Sequence, residues 1–142
     1  MLDRSGTDQA KNAVIQFGEC GARQLHDPIS LRDRLKYDPL TGAIYWKGHG
    51  EGLSDRAVAI WKARFLGKEA LTATITRGYR QGRIDGVAYL AHRVAWALHY
   101  GAWPSGVIDH INGRTSDNRI SNLRDVTQAE NVAASLIARG VI

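Results

Sequence analysis

The chain has 142 residues, a formal net charge of +5 and a sequence pI near 9.7, which is enough length for one domain with a modest core and a charge that favours a polyanionic partner. Its one cysteine, Cys20, excludes an intramolecular disulfide framework and any multi-cysteine structural zinc site made by this chain alone. No signal-like apolar run stands at the N-terminus and no apolar stretch approaches bilayer-spanning length, so the expected setting is soluble and intracellular, neither secreted nor in a membrane.

Residues 1–28 mix Gly, Asp, Gln and Lys around a short apolar patch at Val14, Ile15 and Phe17, and read as a flexible leader to a single compact domain that begins near residue 29. Ser30 with Asp33 is a candidate cap for a short helix ending near Tyr37. Asp38 to Gly42 then forms a turn, and Ala43 to Lys47 an aromatic-rich strand. The glycine-rich stretch Gly48 to Ser54 lacks the Lys-Ser or Lys-Thr ending of a phosphate-cradling loop, which argues against nucleotide binding.

Tyr79 to Ile84, the Asp85-Gly86 pair and Val87 to Leu90 predict a β-hairpin with a tight primed turn. It would place Tyr79, Gln81 and Arg83 on one face, either a groove-reading ribbon or an ordinary solvated strand face. Ala91 to Tyr100 predicts a helix closed by Gly101, with Val94, Ala95 and Leu98 as its apolar stripe. His92, just inside the helix start, suits packing or capping, and His99 suits the surface. Trp46, Trp61, Trp96 and Trp103 suit core and seam.

The chemistry concentrates in Asp109 to Asn131. Val107 and Ile108 are β-branched and follow the turn Trp103 to Gly106, so Asp109 and His110 fall at the end of a short strand. Adjacent strand residues point to opposite faces, so the backbone must bend at or after His110 if both are to reach one phosphate. Asn112-Gly113, backed by Ser116, Asp117 and Asn118, provides the bend. Asn112 and Asp117 read as turn formers, Asn118 equally as turn residue or brace. Leu123 to Val126 is the return strand, in which Asp125 is expected to pair with an arginine. Thr127 to Glu130 is a capping box for a helix over Val132 to Ala138, with Asn131 in its first turn.

Hydrolysis of a phosphodiester with one metal needs a base, oxygen ligands for a hard cation and rigid supports. An imidazole, mostly neutral at pH 7, can be the base, which nominates His110; Asp109 supplies a carboxylate. The helix start beyond Thr127 offers backbone N–H groups and the positive dipole end to a phosphate.

The pattern DHINGxxxDNRxxNLRxxTxxxN over residues 109–131 resembles the HNH endonucleases of the ββα-metal fold, in the phage and homing-endonuclease branch that carries Asn at the third motif position. The resemblance extends upstream through Ser30 to Lys47, Trp61 to Ala70 and Gly78 to Pro104, and covers roughly residues 30–135. It implies that Asp109 and Asn131 ligate one divalent cation, that His110 is the general base and that Asn122 braces the loop and orients the histidine. The amide of Asn131 in place of a second His favours Mg²⁺ or Mn²⁺ over a softer metal.

The expected fold is therefore α+β: helix and β-hairpin elements in a DNA-contacting part, residues 29–104, followed by a ββα-metal motif over residues 105–138. Arg80, Arg83, Arg93, Arg114, Arg119 and Arg124 are the candidate contacts to double-stranded DNA, with Asn118 and His92 as supports. The expected activity is metal-dependent DNA cleavage, nicking if the protein is a monomer, in a phage-encoded protein without structural zinc. The alternatives are a DNA-binding module without catalysis, or an accessory protein docking on phage packaging or replication proteins. Metal dependence separates the first from cleavage.

Overall fold

A computed structural model describes residues 25–127 and 129–130 of the chain. The leader up to residue 24, the helix expected over Val132 to Ala138 and Asn131 lie outside the described residues. The architecture is α+β. In chain order it runs α1 (Pro28–Leu31), β1 (Leu35–Tyr37), β2 (Ile44–Trp46), α2 (Asp55–Phe65), β3 (Ala73–Thr74), a 3₁₀ turn (Thr76–Gly78), β4 (Arg80–Ile84), β5 (Val87–Leu90), α3 (Ala91–Tyr100), β6 (Val107–His110), a second 3₁₀ turn (Ile120–Asn122) and β7 (Leu123–Val126). The strands form three small antiparallel sheets, β1-β2, β3-β4-β5 and β6-β7.

The first helix begins earlier than expected. Pro28 occupies its first turn, where a missing N–H costs nothing, and the Asp27 side chain accepts from Ser30 N. The helix stops after one turn, and Leu35 to Tyr37 is extended, paired with Ile44 to Trp46. Ser30 and Asp33 therefore do not cap a helix reaching Tyr37.

The β4-β5 hairpin turns on Asp85 (φ 52) and Gly86 (φ 80), the two positive-φ centres a type I′ turn requires. Gly101 ends α3 in the left-handed region at φ 78, its N–H returning to Ala97 O. Helix α3 is the centre of the molecule: Val94, Ala95 and Ala97 are fully buried, and Leu98 and Ala91 nearly so. Around them pack Leu31, Leu35, Ile44, Leu71, Ile84, Tyr89, Ile108 and Leu123, so every sheet contributes to one core. A buried side chain the size of Val94 contributes roughly 1.5–3 kcal/mol.

The turn between β1 and β2 is where the upstream half grips the downstream half. Gly42 sits at φ +83, and a Cβ there would lie 2.6 Å from both Arg119 N and Asn118 C. The Tyr37 hydroxyl donates to Asn118 O, and Ile120 N donates to Pro39 O at 3.2 Å. Gly42→Val is expected to lower stability by about 3 kcal/mol, through a strained φ and a clash with backbone that has nowhere to move. Urea unfolding at neutral pH measures the loss.

Candidate active site

Strand β6 sets the site. Its register with β7 opposes Asp109 to Arg124 and His110 to Leu123. Alternation turns Ile108 and His110 inward, where they are buried, and leaves Asp109 on the other, more open face. The pairing stays regular through His110, so the strand itself leaves the Asp109 and His110 side chains on opposite faces, and the chain turns directly after it, Gly113 N donating to His110 O at 2.8 Å.

The loop between β6 and β7 is held from within by Asn122, which is buried. Its Oδ1 accepts from Asn112 N at 2.9 Å, and its Nδ2 donates to Asn112 Oδ1 and Asp117 O, both at 2.9 Å. Asn112 closes an Asx turn by accepting from Arg114 N, and Asp117 accepts from Arg119 N, as their turn-forming character predicts. The Arg119 fork also grips Asp117 through both carboxylate oxygens and holds its carboxyl well below the usual carboxylate range.

The hydrogen bond to the His110 ring comes from Asn118, whose Oδ1 lies 2.9 Å from Nε2. Bracing the loop and orienting the histidine are thus divided between two asparagines, Asn122 for the first and Asn118 for the second. An amide oxygen only accepts, so Nε2 is the donor of this bond. Among the described residues no hydrogen bond occupies Nδ1. Two substitutions separate the roles. Asn122→Ala should cost about 2–4 kcal/mol of stability by orphaning three loop bonds. Asn118→Ala should cost less stability but lower kcat about tenfold or more, by releasing the ring. Urea unfolding beside steady-state cleavage distinguishes them.

Behind His110 stand two further rings. His92, in the first turn of α3, has its ring centroid 5.1 Å from that of His110 and nearly perpendicular to it. Tyr79 lies 5.4 Å from His92 and 6.0 Å from His110. Burial, and secondarily the neighbouring His110, push the His92 imidazole down to about 3, so it is uncharged at neutral pH. Tyr79 therefore joins this cluster as well as lying in line with Gln81 and Arg83. The turn that carries it is pinned by Thr115, whose hydroxyl donates to Arg77 O. A cavity of about 620 Å³ opens beside the cluster, lined by Tyr79, His92, Arg77, Arg93, Leu90 and Ile108 among others. Nothing in the local sequence around Tyr79 signals its approach to a residue thirty-one positions later.

On the open face, the Asp109 carboxylate meets Arg124 Nη2 at 2.6 Å through Oδ2 alone. Oδ1 has no hydrogen-bond partner among the described residues, so it can take a hard cation, and an incoming cation competes with the guanidinium for the carboxylate. Among the described residues no three His, Cys, Asp or Glu side chains converge on a metal position; Asn131, the other expected ligand, lies outside them.

The remaining arginines are placed variously. Arg80 pairs with Glu69 at 3.2 Å, and Arg83 donates to Gly86 O across its own turn. Arg114 is exposed. Arg93 is half-buried and donates to Gly106 O and Pro104 O on the turn into β6. Asp125 faces the Arg93 guanidinium electrostatically, as an arginine partner requires. It accepts from Ser105 N, Ser105 Oγ and Gly106 N on the same turn, because a carboxylate beside free backbone N–H groups satisfies several at once.

Residues 89–133 match the family model described as HNH endonuclease. A comparison with curated proteins finds no match. Among solved structures the chain is similar to one described as "DNA binding and cleavage by the HNH homing endonuclease I-HmuI", with a TM-score of 0.53 and 24% sequence identity over 82% of this chain. The aligned region spans 59% of that chain, and at this identity the likeness speaks for the fold. The family match runs through α3, β6, the loop and β7, about a third of the chain, and over these residues the chain is similar to the HNH endonucleases.

Proposed function

We propose that the protein is a metal-dependent endonuclease that hydrolyses phosphodiester bonds in double-stranded DNA, one strand per encounter when it acts as a monomer. The observation that carries this reading is the His110–Asn118 hydrogen bond within a match to the HNH family. In this reading the bond holds Nε2–H and leaves Nδ1 for the water.

In this reading His110 takes a proton at Nδ1 from the water that attacks phosphorus, while Asn118 holds Nε2–H and the ring plane. Asp109 and Asn131 would hold Mg²⁺ or Mn²⁺, which supplies charge stabilisation at the phosphoryl group and the departing 3′ oxygen. Arg114 and Arg83 are exposed cations available to the DNA backbone, in keeping with the net charge of +5. Family resemblance further suggests 5′-phosphate and 3′-hydroxyl ends.

An end-labelled duplex separates this from a DNA-binding module. Cleavage should stop on adding EDTA while a gel shift persists and weakens with salt. A salt-sensitive shift with no cleavage in Mg²⁺ or Mn²⁺ would leave the binding module.

A further inference from the structure

Beyond His110 and its asparagine, the nearest chemistry-bearing group is His92, and its surroundings are unusual. It is 6% exposed, and among the described residues its buried Nδ1 has no hydrogen-bond partner. An orphaned buried nitrogen weakens a fold, and a plain hydrocarbon ring would fill the same space without that loss. What the position does supply is a ring, set edge-on at 5.1 Å to the histidine on β6. The helix start holds that ring rigidly, since Ala91 and Val94 on either side are buried in the core. Tyr79 completes the arrangement from the turn that Thr115 ties to the β6-β7 loop.

We propose that His92 is a positioning residue for His110: its ring, with that of Tyr79, clamps the His110 imidazole in the one orientation that the Asn118 bond selects. The proposal rests on the reading of His110 as the base, but the clamp itself is a statement about ring geometry. Asn118 fixes one end of the imidazole; a single hydrogen bond leaves the ring free to swing about that end. Two aromatic rings packed on it remove the swing.

The test uses the full chain and the variants His92→Leu, which fills the space without a ring, and His92→Phe, which keeps a ring and removes the orphaned nitrogen. Long-range ¹H–¹⁵N spectra read the His110 tautomer, thermal melting reads the fold, and nicking in Mg²⁺ reads kcat and KM. The parent should show His110 as the Nε2–H tautomer alone. His92→Leu should show mixed tautomers and a kcat lower by about tenfold or more, with KM within about twofold, the usual sensitivity of rate to a slightly misplaced group. His92→Phe should keep the tautomer and most of kcat, and melt no lower than the parent. A folded His92→Leu with an unchanged tautomer and kcat would overturn the proposal. So would a folded His92→Phe as impaired as the leucine variant, because the ring nitrogen would then be what matters. If His92→Leu melts well below the parent, Tyr79→Leu carries the same expectation from the other side of the clamp. If the parent does not cleave DNA at all, the nuclease reading fails, and the tautomer spectra still decide the clamp.

Discussion

Replacing His110 by alanine is expected to slow phosphodiester cleavage by about 10²-fold or more, the usual worth of a general base, with DNA affinity little changed. The side chain is buried against Tyr79 and His92 and bonded to Asn118, so alanine also leaves a cavity and some stability is lost with it. His110→Gln controls for this: it fills much of the space and its amide N–H can still meet Asn118 Oδ1, yet it has no basic nitrogen. Both variants should be comparably inactive, and only the alanine variant should melt substantially lower. Added imidazole should restore part of the alanine variant's rate by supplying the missing base in the vacated space. Steady-state nicking rates beside melting curves check all of this; a glutamine variant with parental kcat would remove His110 from the chemistry.

Asp109→Asn is the second large effect, and its signature differs. A bound cation supplies several kcal/mol of charge stabilisation in phosphoryl chemistry, and about 1.4 kcal/mol is tenfold in rate, so weakening the carboxylate ligand should cost about 10²-fold or more at low Mg²⁺. Raising Mg²⁺ or Mn²⁺ should recover part of that loss, because an amide still offers an oxygen, whereas no metal concentration should rescue His110→Ala. The substitution also frees Arg124 from its ion pair at 2.6 Å. DNA binding in EDTA should therefore hold or strengthen even as cleavage falls. A metal titration of the cleavage rate is the measurement, and an Asp109→Asn rate that ignores metal would contradict the assignment of Asp109.

The strands and turns that frame the candidate site are legible because their signals are local. Val107 to His110 and Leu123 to Val126 are β-branched or apolar runs bounded by turn residues, and they pair with each other over four residues. Asp85-Gly86 and Gly101 adopt the positive φ that those residue types signal. The elements missed or misplaced had weaker or competing signals. Helix α2 buries no residue fully: its short stripe of Val58, Trp61 and Phe65 is shared with exposed Ile60 and rests on Trp46, although Ser54 caps the helix by accepting from Ala57 N. The first helix was displaced because Asp27-Pro28, a better start, competes with Ser30 and Asp33.

The contacts that assemble the site are long-range, and no local pattern encodes them. Tyr37 reaches Asn118, and the glycine of Leu40-Thr41-Gly42, a motif weak by itself, is required where that turn meets Asn118 and Arg119. The approach of His92 to His110 depends on how the start of α3 packs against β6. Even the division of labour between Asn118 and Asn122 needed coordinates: both lie in the loop after His110, and only the fold decides which amide meets the ring.

Relaxation of supercoiled plasmid by the purified protein in Mg²⁺ or Mn²⁺ tests the central claim most directly, with EDTA and His110→Gln as controls. The expected result is open circles that appear with metal and vanish in both controls. Intact supercoiled DNA under every condition, or relaxation that persists in EDTA or with His110→Gln, would contradict it.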